Sequence, residues 1–307
     1  MNNFITSILS ITIVVLLGFF AGKFKIIAKE YDGGFSIYIL NFSLPILLFN
    51  TVANANLAQL LDPKMNIAFV IGLLGMFILT FVIHKFLLKK SLQESSQTAF
   101  LCAYPNTAFL GIPLMLAIVG SQAMLPIVVS NIIVGIIIIP LTLILIEIGL
   151  IGFANINYKK IALKIFKTPL ITLSFAGMIF AIMQIKLPHI VQHSFEIIGG
   201  STSGISLFTL GLIISRFKII PTKIVWLNVL FKNILHPILM LSIVKAISLD
   251  GIIAKELIIL CAMPPAISAT FFSVLFNIKP SENITSTILS TMLSFITISL
   301  FLYLLHL

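Results

Sequence analysis

Carboxylates are scarce in this 307-residue chain: nine Asp and Glu stand against nineteen Lys and Arg. The aspartates, Asp32, Asp62 and Asp250, all read as loop residues outside the long apolar runs. That excludes intramembrane aspartyl proteases, which need paired buried aspartates, and prenyl-transfer enzymes, which need Asp clusters to hold Mg²⁺. No His-Glu-x-x-His occurs for zinc hydrolysis and no Walker sequence for ATP, so the chain reads as neither an enzyme nor an ATP-driven machine. There are two cysteines, Cys102 and Cys261, each inside an apolar run. They offer no disulfide framework and no metal-ligand set, and no cofactor is expected. Charged residues of both signs make up 9% of the chain, against roughly 25% in soluble domains.

What fills the chain instead is apolar: 59% hydrophobic residues and a mean hydropathy of +1.19. The fold class expected is an all-α integral membrane protein, with the bilayer as its first partner. A formal net charge of +10 can signal nucleic acid, but in a membrane chain Lys and Arg collect in cytoplasmic loops, and no nucleic-acid partner is expected. The N-terminal "MNNFITSILSITIVVLLGFFAGKFK" carries its lysines after the apolar run. A secretory signal has the reverse polarity, so this run reads as a retained first span.

Apolar windows of about 20 residues fall at 4–22, 33–54, 66–88, 97–119, 124–150, 168–185, 191–214, 223–246, 255–276 and 283–305. The connections after alternate windows, beginning with the first, carry fourteen Lys and Arg, and the opposite side carries four; Lys232, inside a window, completes the nineteen. This bias predicts a plasma-membrane (inner-membrane) protein with both termini outside the cytoplasm. "CAYP" at 102–105 returns as "CAMP" at 261–264, and at the same offset "SLPILLF" (43–49) lies against "TSGISLF" (202–208). The expected organisation is therefore a first five-helix repeat (1–151), a short basic cytoplasmic linker (152–167) and a second repeat (168–307). An odd number of spans per repeat forces opposite insertion, the inverted-repeat architecture of many secondary transporters.

The fourth and ninth windows are interrupted. "CAYPNTAFLGIPL" (102–114) and "CAMPPAISATFF" (261–272) put Pro105 and Pro264 nine residues past Ser96 and Lys255, which is ~13 Å into the bilayer at 1.5 Å per residue. Proline has no N–H and clashes with the carbonyl a turn back. Irregular backbone at such depth persists only when buried in protein or lining a wet cavity. Two half-helices meeting there present N–H groups and dipole ends that favour an anion. The expected substrate site is Pro105, Asn106, Thr107, Pro264, Pro265 and Ser268, with Asn106 acting through its amide and the ninth segment through backbone N–H and Ser268. Lys232 is either a counter-charge to the substrate or a cation that holds the carbonyls of the broken helices. Asn50 and Thr202 would add polar groups from the second and seventh segments. His236, a turn beyond Lys232, is either a proton relay or a bundle hydrogen bond. No carboxylate is expected at mid-depth, which disfavours Na⁺ coupling.

"YPNTAFLGIPL" resembles the fourth-helix signature of the auxin efflux carrier family, which includes plant PIN carriers and bacterial malate and malonate permeases. "MPPAISATFFSVLFNIKP", "NFSLPILLF" and "KNILHP" are similar to its ninth-, second- and eighth-helix patterns. The resemblance implies a bile-acid-symporter-like fold of ten helices. Helices 1, 2, 6 and 7 would be a scaffold and a homodimer surface; the others would carry the crossed breaks. It also implies a secondary transporter of small organic anions, such as malate, malonate or auxin-like weak acids, working by elevator-type alternating access. A ten-span sensor or channel is the alternative. Gly204 stands where many relatives have proline.

Overall fold

The computed structural model describes residues 2–55, 61–111, 114–115, 118–120, 124–152, 169–216 and 219–306. Among them there is no strand beyond one isolated bridge, Pro105 to Pro265. The helices, in chain order, are α1 (Asn2–Lys23), α2 (Lys29–Ala53), α3 (Pro63–Leu87), α4 (Leu92–Ala103), α5 (Leu125–Leu150), α6 (Pro169–Ile182), α7 (His189–Arg216), α8 (Lys223–Ala246), α9 (Gly251–Ala262), α10 (Ile267–Leu275) and α11 (Pro280–Leu304). Six of these, α2, α3, α5, α7, α8 and α11, are long and apolar enough to cross a membrane. The chain is an all-α, multi-pass membrane protein. The basic linker expected at 152–167 lies, from 153 onward, outside the described residues.

Local chemistry explains where the helices begin and bend. Asp62 caps α3, its carboxylate accepting from Met65 N at 2.8 Å, with Pro63 at the first position, where a missing N–H does no harm. Ser91 caps α4 by accepting from Glu94 N, the Ser-x-x-Glu start signal. Within α2, α5 and α8 a single π turn, Ile39–Ser43, Val134–Ile138 or Phe231–Leu235, ends two residues before Pro45, Pro140 or Pro237. Each proline leaves the carbonyl four residues back without a donor and presses against it; one extra residue in the turn relieves the clash.

The chain forms two compact units. The first comprises Met1–Leu61, Ala108–Ile136 and Ala162–Lys218, and so holds α1, α2, α6 and α7. Its helices meet at close range. A Cβ on Gly18 would lie 1.9 Å from the Phe208 carbonyl oxygen, and one on Gly211 would lie 2.0 Å from that of Val15, so α1 and α7 can touch only through glycine. In the "GGSTSG" run, Gly199 packs on Leu47, while Gly200 and Gly204 meet nothing within 4 Å. Phe49 stands edge-on to Phe180 and Phe195. Asp32, expected in a loop, opens a helical turn within α2. Arg216 Nε donates to its carboxylate at 3.1 Å, and the same guanidinium donates to the Gly22 carbonyl at 2.7 Å. This partner, 184 residues away in sequence, is what makes a half-buried aspartate tolerable there.

The second unit comprises Asp62–Thr107, Ile137–Ile161 and Ile219–Leu307, and holds α3, α4, α8, α9, α10 and α11. Its apolar interior carries pairs of buried polar side chains. Asn228 donates to Ser286, Asn233 to the Ser290 carbonyl while Ser290 donates back to Asn233, and Thr270 pairs with Thr287. Gln93 donates to the Gly149 carbonyl.

Candidate functional site

The two interrupted segments cross inside the second unit. Tyr104 (φ −94°, ψ 102°) leaves α4 extended, and Met263 (φ −60°, ψ 149°) and Ala266 (φ −61°, ψ 137°) leave and re-enter helix around Pro264 and Pro265. The extended pieces pair antiparallel: Asn106 N donates to the Pro264 carbonyl and Ala266 N to the Tyr104 carbonyl, both at 2.8 Å. Pro105 and Pro265 face each other in this pairing, at the one position of an antiparallel ladder that needs no N–H. Backbone freed by proline is thus satisfied by the partner break. Two of the donors expected to face a ligand are used in this way. The N–H groups opening α10, from Ile267 and Ser268, have no carbonyl a turn back within their helix.

Both breaks come thirteen residues after their helix begins, at Leu92 and Gly251. The starts expected at 97 and 255 are four to five residues late; for α4 the reason is that Ser95 and Ser96 are polar yet buried and dilute the apolar signal. The breaks therefore lie ~20 Å along their helices rather than ~13 Å, but still at equal distance from the helix starts.

Around the crossing, Asn106 is buried and its Oδ1 has no hydrogen-bond partner among the described residues. Such an orphaned acceptor is costly and is a natural contact for a ligand donor. Thr107 is fully buried, its N–H donating to the Pro105 carbonyl at 2.8 Å. Ser268 is buried in the first turn of α10, beside the Tyr104 phenol. Lys232 is completely buried and donates to the Cys261 carbonyl at 3.0 Å and to His236 Nδ1 at 2.8 Å. In an unbroken helix the Cys261 carbonyl would take the N–H of the residue four ahead, which is Pro265. Lys232 supplies the donor that proline lacks, and its charge sits at a helix C-terminus, where cations are favoured. His236 accepts from Lys232, so its proton is assigned to Nε2, which is buried without a partner.

Pro105, Asn106, Thr107, Pro264, Pro265, Ser268 and, through Cys261, Lys232 are thus brought together. Asn50 and Thr202 belong to the first unit. There the register of Phe35 on Phe208 and Phe49 on Phe195 runs α2 antiparallel to α7, which sets Asn50 and Thr202 at different levels. Asn50 accepts from Asn54, while Thr202 is fully buried with its hydroxyl unpartnered. The sequence reading missed two residues of the second unit. Gln97 donates to the Ala269 carbonyl at 2.7 Å and ties the two broken segments together. Glu256 is 1% exposed with Oε1 unpartnered. The start at Gly251 puts Glu256 in the second helical turn, eight residues before Pro264.

An all-helical membrane chain with two helices broken at prolines and cross-paired at the break defines a class of polytopic carriers. The chain belongs to the membrane transport protein family, the auxin efflux carrier family, whose model matches residues 3–149 and 153–302. Over 306 residues it is 26% identical to the uncharacterized transporter YfdV of Escherichia coli K12, covering 98% of this chain and 97% of that one. It is 24% identical over 300 residues to a putative malonate transporter of Rhizobium meliloti, covering 95% and 93%. With auxin efflux carrier component 8 of Arabidopsis thaliana it shares 21% identity over 348 residues, covering 95% and 94%. The family is one of membrane transporters and not of enzymes.

Proposed function

We propose that this protein is a secondary transporter of small organic anions, carboxylates such as malonate or malate or auxin-like weak acids, across the plasma (inner) membrane. The observation that carries the reading is the crossing itself, a polar break inside an apolar bundle that keeps an unpartnered amide oxygen on Asn106 and a buried ammonium on Lys232. Buried polar groups of this kind within a membrane mark substrate pathways. In the proposal, Asn106 and Ser268 contact the anion, the opening N–H groups of α10 add donors, and Lys232 holds the carbonyl end of α9 while adding positive potential. Pro105, Thr107, Pro264 and Pro265 shape the cradle. Within the first unit, Asn50 and Thr202 are the polar residues proposed to meet the passing anion.

The same proposal includes ten spans in two inverted five-helix repeats, both termini outside the cytoplasm, and a homodimer through α1, α2, α6 and α7. Its elevator-type alternating access is supported by the contact-defined division, which places those four helices in one unit and both breaks in the other. Direct binding and proteoliposome uptake of labelled malonate, malate and an aromatic weak acid test the reading. Asn106→Ala should weaken carboxylate binding tenfold to a hundredfold, about 1.4–2.8 kcal/mol. Asn106→Asp should weaken it further, through like-charge repulsion at low dielectric. If Asn106→Ala and Ser268→Ala both bind as tightly as the parent, the crossing is a hinge and not the site.

A further inference from the structure

Within the first unit, an open cleft of about 540 Å³ lies where α1 hands over to α2 and meets α7. Its walls are apolar: Ile26, Ile27, Phe35, Tyr38 and Ile205, with Gly34 along one side. The Tyr38 hydroxyl is engaged by Ser201 at 2.9 Å, so the phenol ring and not its polar tip faces the space. A side chain at Gly34 would meet nothing within 4 Å. Exposed Phe24 and Ile26 extend the apolar surface beside the cleft.

The charges nearby have one dominant sign. Lys23, Lys25 and Lys29 are all exposed, and none is in an ion pair among the described residues. Lys23 leans back over the Phe19 ring, leaving Lys25 and Lys29 flanking the segment whose Ile26 and Ile27 line the cleft. The acidic residues alongside are Glu30, which is exposed, and Asp32, which Arg216 neutralises. Lys25 sits at φ +59° just past the end of α1, its N–H donating to the Gly22 carbonyl while Ile26 N donates to that of Ala21. That is a helix-ending geometry in which glycine is the preferred residue.

We infer that this cleft docks one anionic glycerophospholipid, an acyl chain lying against Ile26, Phe35 and Ile205 and the phosphate held by Lys25 and Lys29. An apolar trough ending in unpaired lysines matches the two halves of such a lipid, and basic patches beside spans attract anionic headgroups. The homodimer proposed above would use other faces of these helices, because a two-fold contact at the cleft sets the patch against itself and would bring these lysines together.

The test titrates the full-length protein, in neutral detergent, with fluorescent phosphatidylglycerol and, separately, phosphatidylcholine. Saturable binding of one phosphatidylglycerol per protomer, at least tenfold tighter than phosphatidylcholine, is expected. The paired change Lys25→Gly and Lys29→Gln should weaken phosphatidylglycerol about thirtyfold. It should not lower the lipid-free unfolding temperature, since glycine suits the geometry at position 25. Gly34→Phe should abolish binding, while Gly33→Phe, equally open but outside the cleft lining, should keep it. Equal binding of the two lipids, or full binding by Gly34→Phe, overturns the inference. So does a parent dimer that Gly34→Phe converts to monomer, because it names the second copy as the occupant.

Discussion

In the first unit α1 and α7 touch backbone to backbone at Gly18 and Gly211, and Gly22 meets the Ser215 side chain. In the second the helices touch through polar side chains, Asn228 on Ser286, Asn233 on Ser290 and Thr270 on Thr287. Lipid supplies no hydrophobic drive for helix association, so close van der Waals contact and interhelical hydrogen bonds are the two means available, and each unit relies mainly on one. A glycine interface is rigid and tolerates no added atoms. A hydrogen-bonded one carries polar groups into the bundle, and it is in the second unit that the broken helices, whose backbone needs polar partners, are found.

The comparison is open to direct attack. The largest effect is expected from Gly211→Leu, whose side chain would start 2.0 Å from the Val15 carbonyl oxygen and 2.6 Å from Phe19 N. Backbone cannot step aside cheaply, so a loss of about 3 kcal/mol or more is expected, seen as aggregation on size-exclusion chromatography. A monodisperse Gly211→Leu protein with the parent's unfolding temperature would show that α1 and α7 are not clamped this way. Asn233→Ala should cost less, about 1–2 kcal/mol, by orphaning the Ser290 groups. Combined with Ser290→Ala in a double-mutant cycle, it should reveal a coupling of roughly 0.6 kcal/mol, and strict additivity would remove the pair from the account of the second unit. The smallest change is Gly204→Ala. That glycine lies in α7 with no neighbour within 4 Å, and the helix gains about 0.5–1 kcal/mol when Ala replaces Gly. A fall in unfolding temperature would show that even this open glycine serves packing.

The two breaks were readable in advance from their prolines. Pro105 and Pro264 repeat at one offset beside polar residues, which set them apart from Pro45, Pro140 and Pro237, whose helices run on through a π turn. Lys232 was legible as a buried charge and, in one of its two readings, as a cation holding carbonyls of the broken helices; that the carbonyl is Cys261's needed the approach of α8 to α9. Asp32 was misplaced because an apolar window finds where hydrophobic residues begin, whereas the helical turns of α2 begin ahead of them, at Lys29. The start of α4 moved by five residues because its first turns are polar, Ser91 capping them and Ser95 and Ser96 buried.

By itself the sequence determined the solvent, the all-α class and the places where helices must yield, because hydropathy, charge and the missing proline N–H act locally. Only the tertiary structure decided which glycines touch backbone, since Gly211 and Gly204 are the same residue in the same helix and differ only in what lies opposite. It also decided that the two breaks satisfy each other, Asn106 N on Pro264 and Ala266 N on Tyr104. A proline dictates that a carbonyl loses its donor; which distant residue replaces that donor depends on how the chain packs.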